Sequence, residues 1–141
     1  MSIKKLNPYL NFNGTAEKAI KLYETVLGAR TEGLMRFGEG APDTAPDDRN
    51  RVMHALLRIG EGAIMISDTM RNAPVSADGN GNVHITLDFD DPTDMARKFE
   101  GLASGGKVTM PLQDTFWGAR FGMLTDAHGI RWMFNCEIRK A

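Results

Sequence analysis

An internal repeat constrains the fold of this chain more than any other feature of its sequence. The segments NFNGTAEKAIKLYETVLGA and DFDDPTDMARKFEGLASGG align without a gap, at a constant offset of 77 residues (12 to 89, and 28 to 105). The alignment matches Phe12 with Phe89, Ala19 with Ala96, Leu22 with Phe99 and Gly28 with Gly105. A chain that repeats itself in this way is predicted to build two similar modules.

The first half carries the signals of a strand, a helix and three further strands. Apolar alternation over residues 6–13 predicts a strand, and Thr15 is placed to cap the helix that follows. Residues 31–37 predict a short strand, and residues 38–51 form a polar loop rich in Gly, Pro and Asp. The last two strands form a hairpin over residues 52–59 and 63–67.

The second half repeats this order of elements. Residues 83–89 predict a strand, and Asp91 followed by a proline predicts the start of a helix. The buried stripe of that helix is expected to contain Ala96, Phe99 and Leu102. Val108 marks a short strand, residues 111–118 a loop, and residues 121–125 and 130–135 a hairpin.

These elements predict an α+β domain over residues 1–141, with tandem βαβββ modules that form a curved mixed sheet around a cleft. Module 1 spans about residues 3–68, a linker about residues 69–81, and module 2 about residues 82–138.

Composition narrows the range of partners. The 141 residues carry a net charge of −1 and no dense basic stripe, which argues against a nucleic-acid partner. No run approaches the roughly 18 apolar residues of a membrane helix, and the amino terminus does not resemble a secretory signal. Cys136 is the single cysteine, so no intramolecular disulfide forms. We expect a soluble, cytoplasmic protein that binds a small molecule.

Strand periodicity predicts which side chains face the cleft. Successive side chains of a strand point to opposite faces, and the more apolar phase should pack against the helix. The cleft-facing phase then contains Asn7, Tyr9, Asn11, His54, Leu56, Arg58, Met65, Ser67, His84, Thr86, Asp88, Arg131, Met133 and Asn135.

The repeat and the amino-acid sequence within it resemble the vicinal oxygen chelate (glyoxalase/bleomycin resistance/dioxygenase) superfamily, and within it the PhnB-like branch. The matching stretches are PYLNFNG, AEKAIKLYETVLGA, VMHALLRIGEGAIMISD and MPLQDTFWGARFGMLTDAHGIRW. Members of this branch are often described as 3-demethylubiquinone-9 3-methyltransferases. We do not expect that activity, because the chain has no Gly-rich loop between a strand and a helix of an α/β layout.

The resemblance also implies where a metal would bind. Enzymes of the superfamily hold a divalent ion with His or Glu on the first and last strand of each half. Those positions fall on Asn7, Met65, His84 and Met133 here. Thioethers suit Cu(I) rather than hard or borderline divalent ions, so neither a metal nor another cofactor is expected.

The two cleft-facing histidines, His54 and His84, leave three interpretations open. Each imidazole can be a hydrogen-bonded part of the pocket wall, or a ligand contact or general base, since it titrates near neutral pH. In the third interpretation His54 and His84 are the metal ligands of an enzyme. No catalytic residue is identified by the sequence.

Two arginines and two aromatic residues suggest the chemistry of a ligand. Arg58 and Arg131 would favour an acidic molecule, unless they pair with Asp88 or lie in water. Phe116 and Trp117 are placed to stack on a planar ligand or to anchor their loop.

Two classes of function follow. The first is a PhnB-like protein that binds a small, acidic or planar molecule in the cleft between the modules, without the usual quartet of divalent-metal ligands. The second is a metal-dependent lyase, isomerase or dioxygenase-like enzyme that uses His84 and His54. The resemblance also implies a homodimer.

Overall fold

Each half of the chain folds into a four-stranded mixed sheet with one helix packed against one of its faces. The computed structural model describes residues 2–76 and 81–138. They form two compact units, Met1–Ser76 and Ala77–Ala141. The division lies inside the predicted linker, of which residues 77–80 are outside the described residues.

The first unit contains four strands, one long helix and two short helical turns. In chain order these are β1 (Tyr9–Phe12), α1 (Ala16–Leu27), β2 (Arg30–Arg36), α2 (Phe37–Gly40), a 3-10 turn (Pro46–Asp48), β3 (Val52–Ile59) and β4 (Gly62–Asp68). The strand order is β1-β4-β3-β2, with β1 parallel to β4 and the other pairs antiparallel.

The second unit has the same plan. Its elements are β5 (Ile85–Phe89), α3 (Pro92–Ala103), β6 (Lys107–Asp114), β7 (Ala119–Thr125) and β8 (Arg131–Glu137). The strand order is β5-β8-β7-β6, and β5 is parallel to β8. The predicted α+β class and the two βαβββ modules are therefore confirmed.

Each unit has its own core between the sheet and the long helix. In the first unit Tyr23 of α1 is fully buried, together with Leu57 and Ile66 of the sheet. In the second unit the ring of Phe134 stacks on Phe89 and meets Phe99 of α3 edge-on. Burying such a side chain contributes roughly 1.5–3 kcal/mol, so this packing holds each helix on its sheet.

The predicted alignment of the two helices is wrong by one residue. Ala96, expected in the buried stripe of α3, is exposed, and Met95 is fully buried instead. The cause is the strand-to-helix connection, in which α1 begins four residues after Phe12 but α3 begins three residues after Phe89. Within the helices Tyr23 therefore matches Phe99.

Two predicted loops contain regular structure. The loop at residues 38–51 includes part of α2 and the 3-10 turn, and β6 runs through much of the predicted loop at 111–118. Pro111 has no N–H to donate, but β6 is an edge strand with two register shifts, where a proline is tolerated. The predicted strand at 83–89 is shorter, since β5 begins at Ile85 and leaves His84 just before it.

The two long helices are capped in different ways. Asp91 caps α3 as predicted, its carboxylate accepting hydrogen bonds from the backbone N–H groups of Thr93 and Asp94. The prediction for α1 is wrong, because Thr15 makes no side-chain capping bond. Asp68, at the end of β4, accepts the N–H of Ala16 instead.

No helix in the described part of the chain is long and apolar enough to cross a membrane.

Candidate functional site

The face of each sheet opposite the long helix carries the predicted site residues, and we call it the helix-free face. In β1 the helix-side residues Leu10 and Phe12 are buried, whereas Tyr9 and Asn11 are exposed. In β8 the helix-side residues Trp132 and Phe134 are buried, whereas Arg131 and Met133 are only half-buried. The ten predicted site residues share one property, that none is buried: Tyr9, Asn11, His54, Arg58, Met65, His84, Thr86, Trp117, Arg131 and Met133.

On the helix-free face of the first unit, a tyrosine and a histidine are in contact. The hydroxyl oxygen of Tyr9 lies 3.3 Å from Nδ1 of His54, and the two rings are tilted with centroids 6.0 Å apart. Met65 on β4 is the direct neighbour of Tyr9 on β1. His54 therefore has the hydrogen bond that a residue of a pocket wall needs, while its contact with a ligand stays a prediction.

Arg58, on the same face, has a carboxylate partner that the sequence analysis did not identify. Its Nε donates to Oε2 of Glu32 on β2 at a distance of 2.6 Å. Glu32 is the register partner of Leu56, two residues from Arg58 along β3. The predicted pairing of Arg58 with Asp88 is thus replaced by a partly exposed ion pair within the first unit.

The second unit carries a row of basic side chains across its helix-free face. Arg131 on β8 is the register partner of Thr125 on β7, which is in turn the partner of Lys107 on β6. His84 lies one residue before the start of β5, at the level of Arg131. A guanidinium N–H of Arg131 donates to the backbone carbonyl of Gly81. We call Lys107, Thr125, Arg131 and His84 the basic row.

His84 is held in its neutral form by this surrounding. Burial lowers the pKa of His84 from its ordinary value of 6.5, and the nearby positive charge of Arg131 lowers it further. Both effects disfavour the imidazolium ion, so the ring keeps one acceptor nitrogen near neutral pH.

A row of thioethers follows, two residues further along the strands. Met133 on β8 pairs with Met123 on β7, and Met123 pairs with Met110 on β6. Thr86 on β5 is the partner of Met133. Three methionines in adjacent strands give a flexible and polarisable surface on which flat apolar groups pack well. We call Thr86, Met133, Met123 and Met110 the thioether row.

The next row combines an amide, a carboxylate and an aromatic ring. Asn135 on β8 pairs with Phe121 on β7 and with Asp88 on β5, and its side-chain N–H donates to Asp88 Oδ1 at 3.1 Å. The ring of Trp117 contacts that of Phe121, with centroids 6.2 Å apart.

The β6–β7 turn presents two aromatic rings to the surroundings. Phe116 is 89% exposed and Trp117 is 55% exposed, and their rings meet edge-on with centroids 5.0 Å apart. The turn is held by backbone hydrogen bonds between Thr115 and Ala119 and from Gly118 to Thr115. The aromatic pair therefore continues the surface that begins with Phe121, and its stacking on a planar ligand stays a prediction.

The residues at the superfamily's metal positions do not fit a divalent metal. Asn7 and His84 precede the first strand of each unit, and Met65 and Met133 lie on the last strands. Only His84 among them is a good ligand for such an ion. Within residues 2–76 and 81–138, no group of three or more His, Cys, Asp or Glu side chains is arranged to hold a metal.

Cys136 is placed as a packing residue. The side chain is fully buried on the helix side of β8, where burial raises the pKa of its thiol and the carboxylates of Asp90 and Asp91 raise it further. A thiol that resists ionisation is a poor nucleophile.

Sequence reasoning missed several residues of the two faces. Phe121 and Met123 could have been found by applying the strand alternation to β7, since Gly122 and Leu124 between and beyond them are buried. Glu32 and Lys107 could not be found in this way, because their position depends on the register of edge strands that contain bulges.

Comparison with known proteins agrees with the observed architecture. The model of the family described as "Glyoxalase/Bleomycin resistance protein/Dioxygenase superfamily" matches residues 5–134. Protein YjdN of Escherichia coli K12 is 36% identical over an alignment of 141 positions, which covers 92% of this chain and 93% of YjdN.

Two solved structures have the same fold. The structure of PA1353 from Pseudomonas aeruginosa is 39% identical with a TM-score of 0.84, and the match covers 97% of this chain and 100% of that one. The PhnB protein from Bacillus cereus has a TM-score of 0.75 at 22% identity, covering 94% of this chain and 99% of that one. At that identity the likeness concerns the fold alone.

Proposed function

Because the chain belongs to the Glyoxalase/Bleomycin resistance protein/Dioxygenase superfamily, we propose that it is a PhnB-like protein that binds a small molecule on its helix-free faces without a divalent metal. The observation that carries this proposal is the contrast between the two faces of each sheet. Buried apolar residues form the helix side, while the other side alternates amide, imidazole, guanidinium, thioether and aromatic groups that stay partly exposed. Such a mixture of an apolar surface with a few polar groups is typical of small-molecule sites.

The alternative, an enzyme that uses a metal through His84 and His54, requires a third ligand. The four positions implied by the family supply one imidazole, one amide and two thioethers, which is a poor donor set for a divalent ion. We therefore favour binding without a metal, and we assign no catalytic residue.

Metal analysis separates the two functions. The protein is purified without chelator and its metal content is measured by elemental mass spectrometry, for the unmodified chain and for His84→Ala, His54→Ala and His128→Ala. We expect less than one-tenth of an equivalent of any divalent ion in all four proteins. One equivalent of a metal that is lost in His84→Ala but kept in His128→Ala would favour the enzyme.

Ligand capture tests the binding function directly. A library of small acids, amides and amines is screened by thermal shift, and hits are mapped by amide chemical shifts. We expect the hits to perturb residues of the helix-free faces, and to lose affinity in Tyr9→Phe or Arg131→Met. Arg97→Met is the matched control, because it removes one positive charge from an exposed position on α3. Hits that map to the helices would contradict the proposal.

Two further expectations follow, the first from the composition of the sequence and the second from the family resemblance. We propose that the protein acts in the cytoplasm and that a second copy of the chain is its partner in a homodimer. Cell fractionation tests the first, and light scattering after size-exclusion chromatography tests the second. A monomer at micromolar concentration would contradict the homodimer.

A further inference from the structure

The chemical character of the helix-free face of the second unit changes in a fixed order along β8. Along β8, Arg131, Met133 and Asn135 all lie on this face, and successive members are two residues apart, or about 6.6 Å in a strand. A basic end, a thioether middle and an amide end therefore follow one another over about 13 Å. A ligand that lies along β8 meets these three chemistries in a fixed order.

The basic end keeps its positive charge within the described part of the chain. Arg131 donates to a carbonyl group, that of Gly81, and no described carboxylate forms an ion pair with it. Asp126, next to Thr125 of the basic row, accepts hydrogen bonds from the backbone N–H groups of His128 and Ile130 and from the indole of Trp132. That carboxylate is buried and is engaged by these three donors.

The two arginines of the helix-free faces therefore differ. Arg58 is paired with Glu32 at 2.6 Å, whereas Arg131 forms no ion pair with a described carboxylate and has Lys107 two strands away, across Thr125. A carboxylate that approaches Arg58 meets the negative charge of Glu32, which already accepts the Nε–H of the guanidinium. A carboxylate that approaches Arg131 gains charge-assisted hydrogen bonds without displacing any carboxylate of residues 2–76 and 81–138.

The middle of the helix-free face of the second unit suits a flat apolar group of a ligand. Met133 and Met123 are direct cross-strand partners and are half-buried, with Phe121 beside them on β7. Thioethers make favourable contacts with aromatic rings, and the Phe121 ring offers an edge or a face to a second ring. Beyond them, the carboxylate of Asp88 and the amide of Asn135 can accept a hydrogen bond from a donor at the far end of a ligand.

Resting on the proposed function, we infer that the second unit binds an aromatic carboxylate, with its anionic group at Arg131 and its ring on Met133 and Met123. A hydrogen-bond donor opposite the carboxylate points towards Asn135 and Asp88. The first unit, whose arginine already has Glu32 as a partner, offers Tyr9 and His54 as hydrogen-bonding groups on its own face rather than a second anion site.

Three probes of nearly the same shape test this assignment. trans-Cinnamate has the ring and the carboxylate, trans-cinnamamide has the same ring without the charge, and 4-aminocinnamate adds a donor at the far end. Each is titrated to 10 mM into the full-length ¹⁵N-labelled protein, and dissociation constants are taken from the amide shifts of β5, β7 and β8. We expect cinnamate to bind about tenfold or more tightly than cinnamamide, since the charge-assisted hydrogen bonds of its carboxylate with Arg131 are stronger than those of a neutral amide. We expect 4-aminocinnamate to bind more tightly still.

Variants identify the residue that binds the carboxylate of the probe. Arg131→Met should weaken cinnamate about tenfold or more and leave cinnamamide unchanged, and Arg131→Lys should restore part of the loss. Arg58→Met and Arg97→Met should each change the affinity less than twofold. If Arg131→Met fails to fold, as judged by circular dichroism, the lysine variant and the preference for cinnamate over cinnamamide carry the test.

The outcomes distinguish the inference from the proposed function. Equal binding of cinnamate and cinnamamide on the helix-free face would overturn the inference and leave small-molecule binding intact. The same would follow if Arg58→Met, rather than Arg131→Met, removed the preference for the acid. Shifts confined to the helices, or no shift with any of the three probes, would overturn the inference; if the wider library also gave no hit on these faces, the proposed function would fall with it.

Discussion

Asp68 is predicted to fix the start of α1, and the substitution Asp68→Asn tests this role. The carboxylate is only 4% exposed, and each of its oxygens accepts hydrogen bonds. Oδ1 accepts the backbone N–H groups of Gly14 and Ala16, and Oδ2 accepts that of Val52, all at 2.9 Å. One side chain thus joins the first turn of α1, the loop before it and the start of β3.

The expected cost follows from these three hydrogen bonds. The amide that replaces the carboxylate keeps one oxygen, which can still serve Gly14 and Ala16, but an uncharged acceptor makes bonds about half as strong. The NH₂ group of that amide would then face the N–H of Val52 and leave a buried donor unsatisfied, which costs about 1–3 kcal/mol. Together these losses predict that Asp68→Asn lowers the free energy of unfolding by about 2–4 kcal/mol.

Thr15→Ala is the matched control, because Thr15 occupies the cap position of α1 but makes no side-chain capping bond. Its backbone carbonyl, which accepts the N–H of Ala19, is unchanged by the substitution. Urea unfolding followed by far-ultraviolet circular dichroism should therefore show a change of less than about 0.5 kcal/mol for this variant. If Thr15→Ala costs as much as Asp68→Asn, or if Asp68→Asn costs less than about 1 kcal/mol, Asp68 is not the cap.

Three further predictions concern the second unit and the β3–β4 turn. Gly106→Ala should lower the free energy of unfolding by about 1–3 kcal/mol, because the new methyl group would overlap the carbonyl oxygen of Thr125. Gly62→Ala is the control: the nearest neighbour of its methyl group would be 3.6 Å away, so it should cost little in the same urea titration. Because the pKa of His84 is lowered in the folded protein, the imidazole takes up a proton in the unfolded chain at a higher pH than in the folded protein. The stability due to neutral His84 is therefore complete above pH 6.5 and is lost as the pH falls below it. Unfolding of the parent chain should therefore become easier between pH 7.5 and 5 relative to His84→Asn, and parallel pH profiles would contradict this. Finally, Cys136 should react with a disulfide reagent only after unfolding in urea, and rapid labelling of the native protein would contradict its burial.

The local patterns of the sequence were sufficient for the order of elements and for the faces of most strands. Alternation with a period of two requires only the residue types along one strand, so the buried phase of β1 and the exposure of Tyr9 and Asn11 could be predicted. The same holds for Asp91, whose capping partners lie two and three residues away. These features depend on interactions between neighbours in the chain, and the sequence lists those neighbours directly.

The prediction of buried helix residues was wrong where the two halves differ by one residue in the strand-to-helix connection, because that residue changes which side chains of the helix face the sheet. The gapless alignment of the two halves is correct for Phe12 and Phe89 but fails inside the helices, where Met95 replaces Ala96 in the core. A strand-to-helix connection that is one residue shorter rotates the whole helix by about 100° relative to the alignment. Composition alone carries no signal for such a change, because Ala96 is as compatible with a buried stripe as Met95.

The sequence by itself determined two βαβββ modules and the chemical types available on their faces. Only the tertiary structure decided how those groups are paired. The cap of α1 comes from Asp68, 52 residues after Ala16, and the partner of Arg58 comes from Glu32, 26 residues before it. Both contacts depend on which strands lie side by side and in which register, and register is set by packing and bulges rather than by local propensity. For the same reason two arginines that look equivalent in the sequence differ in the fold: Arg58 is paired with Glu32, whereas Arg131 lies in a basic row two strands from Lys107.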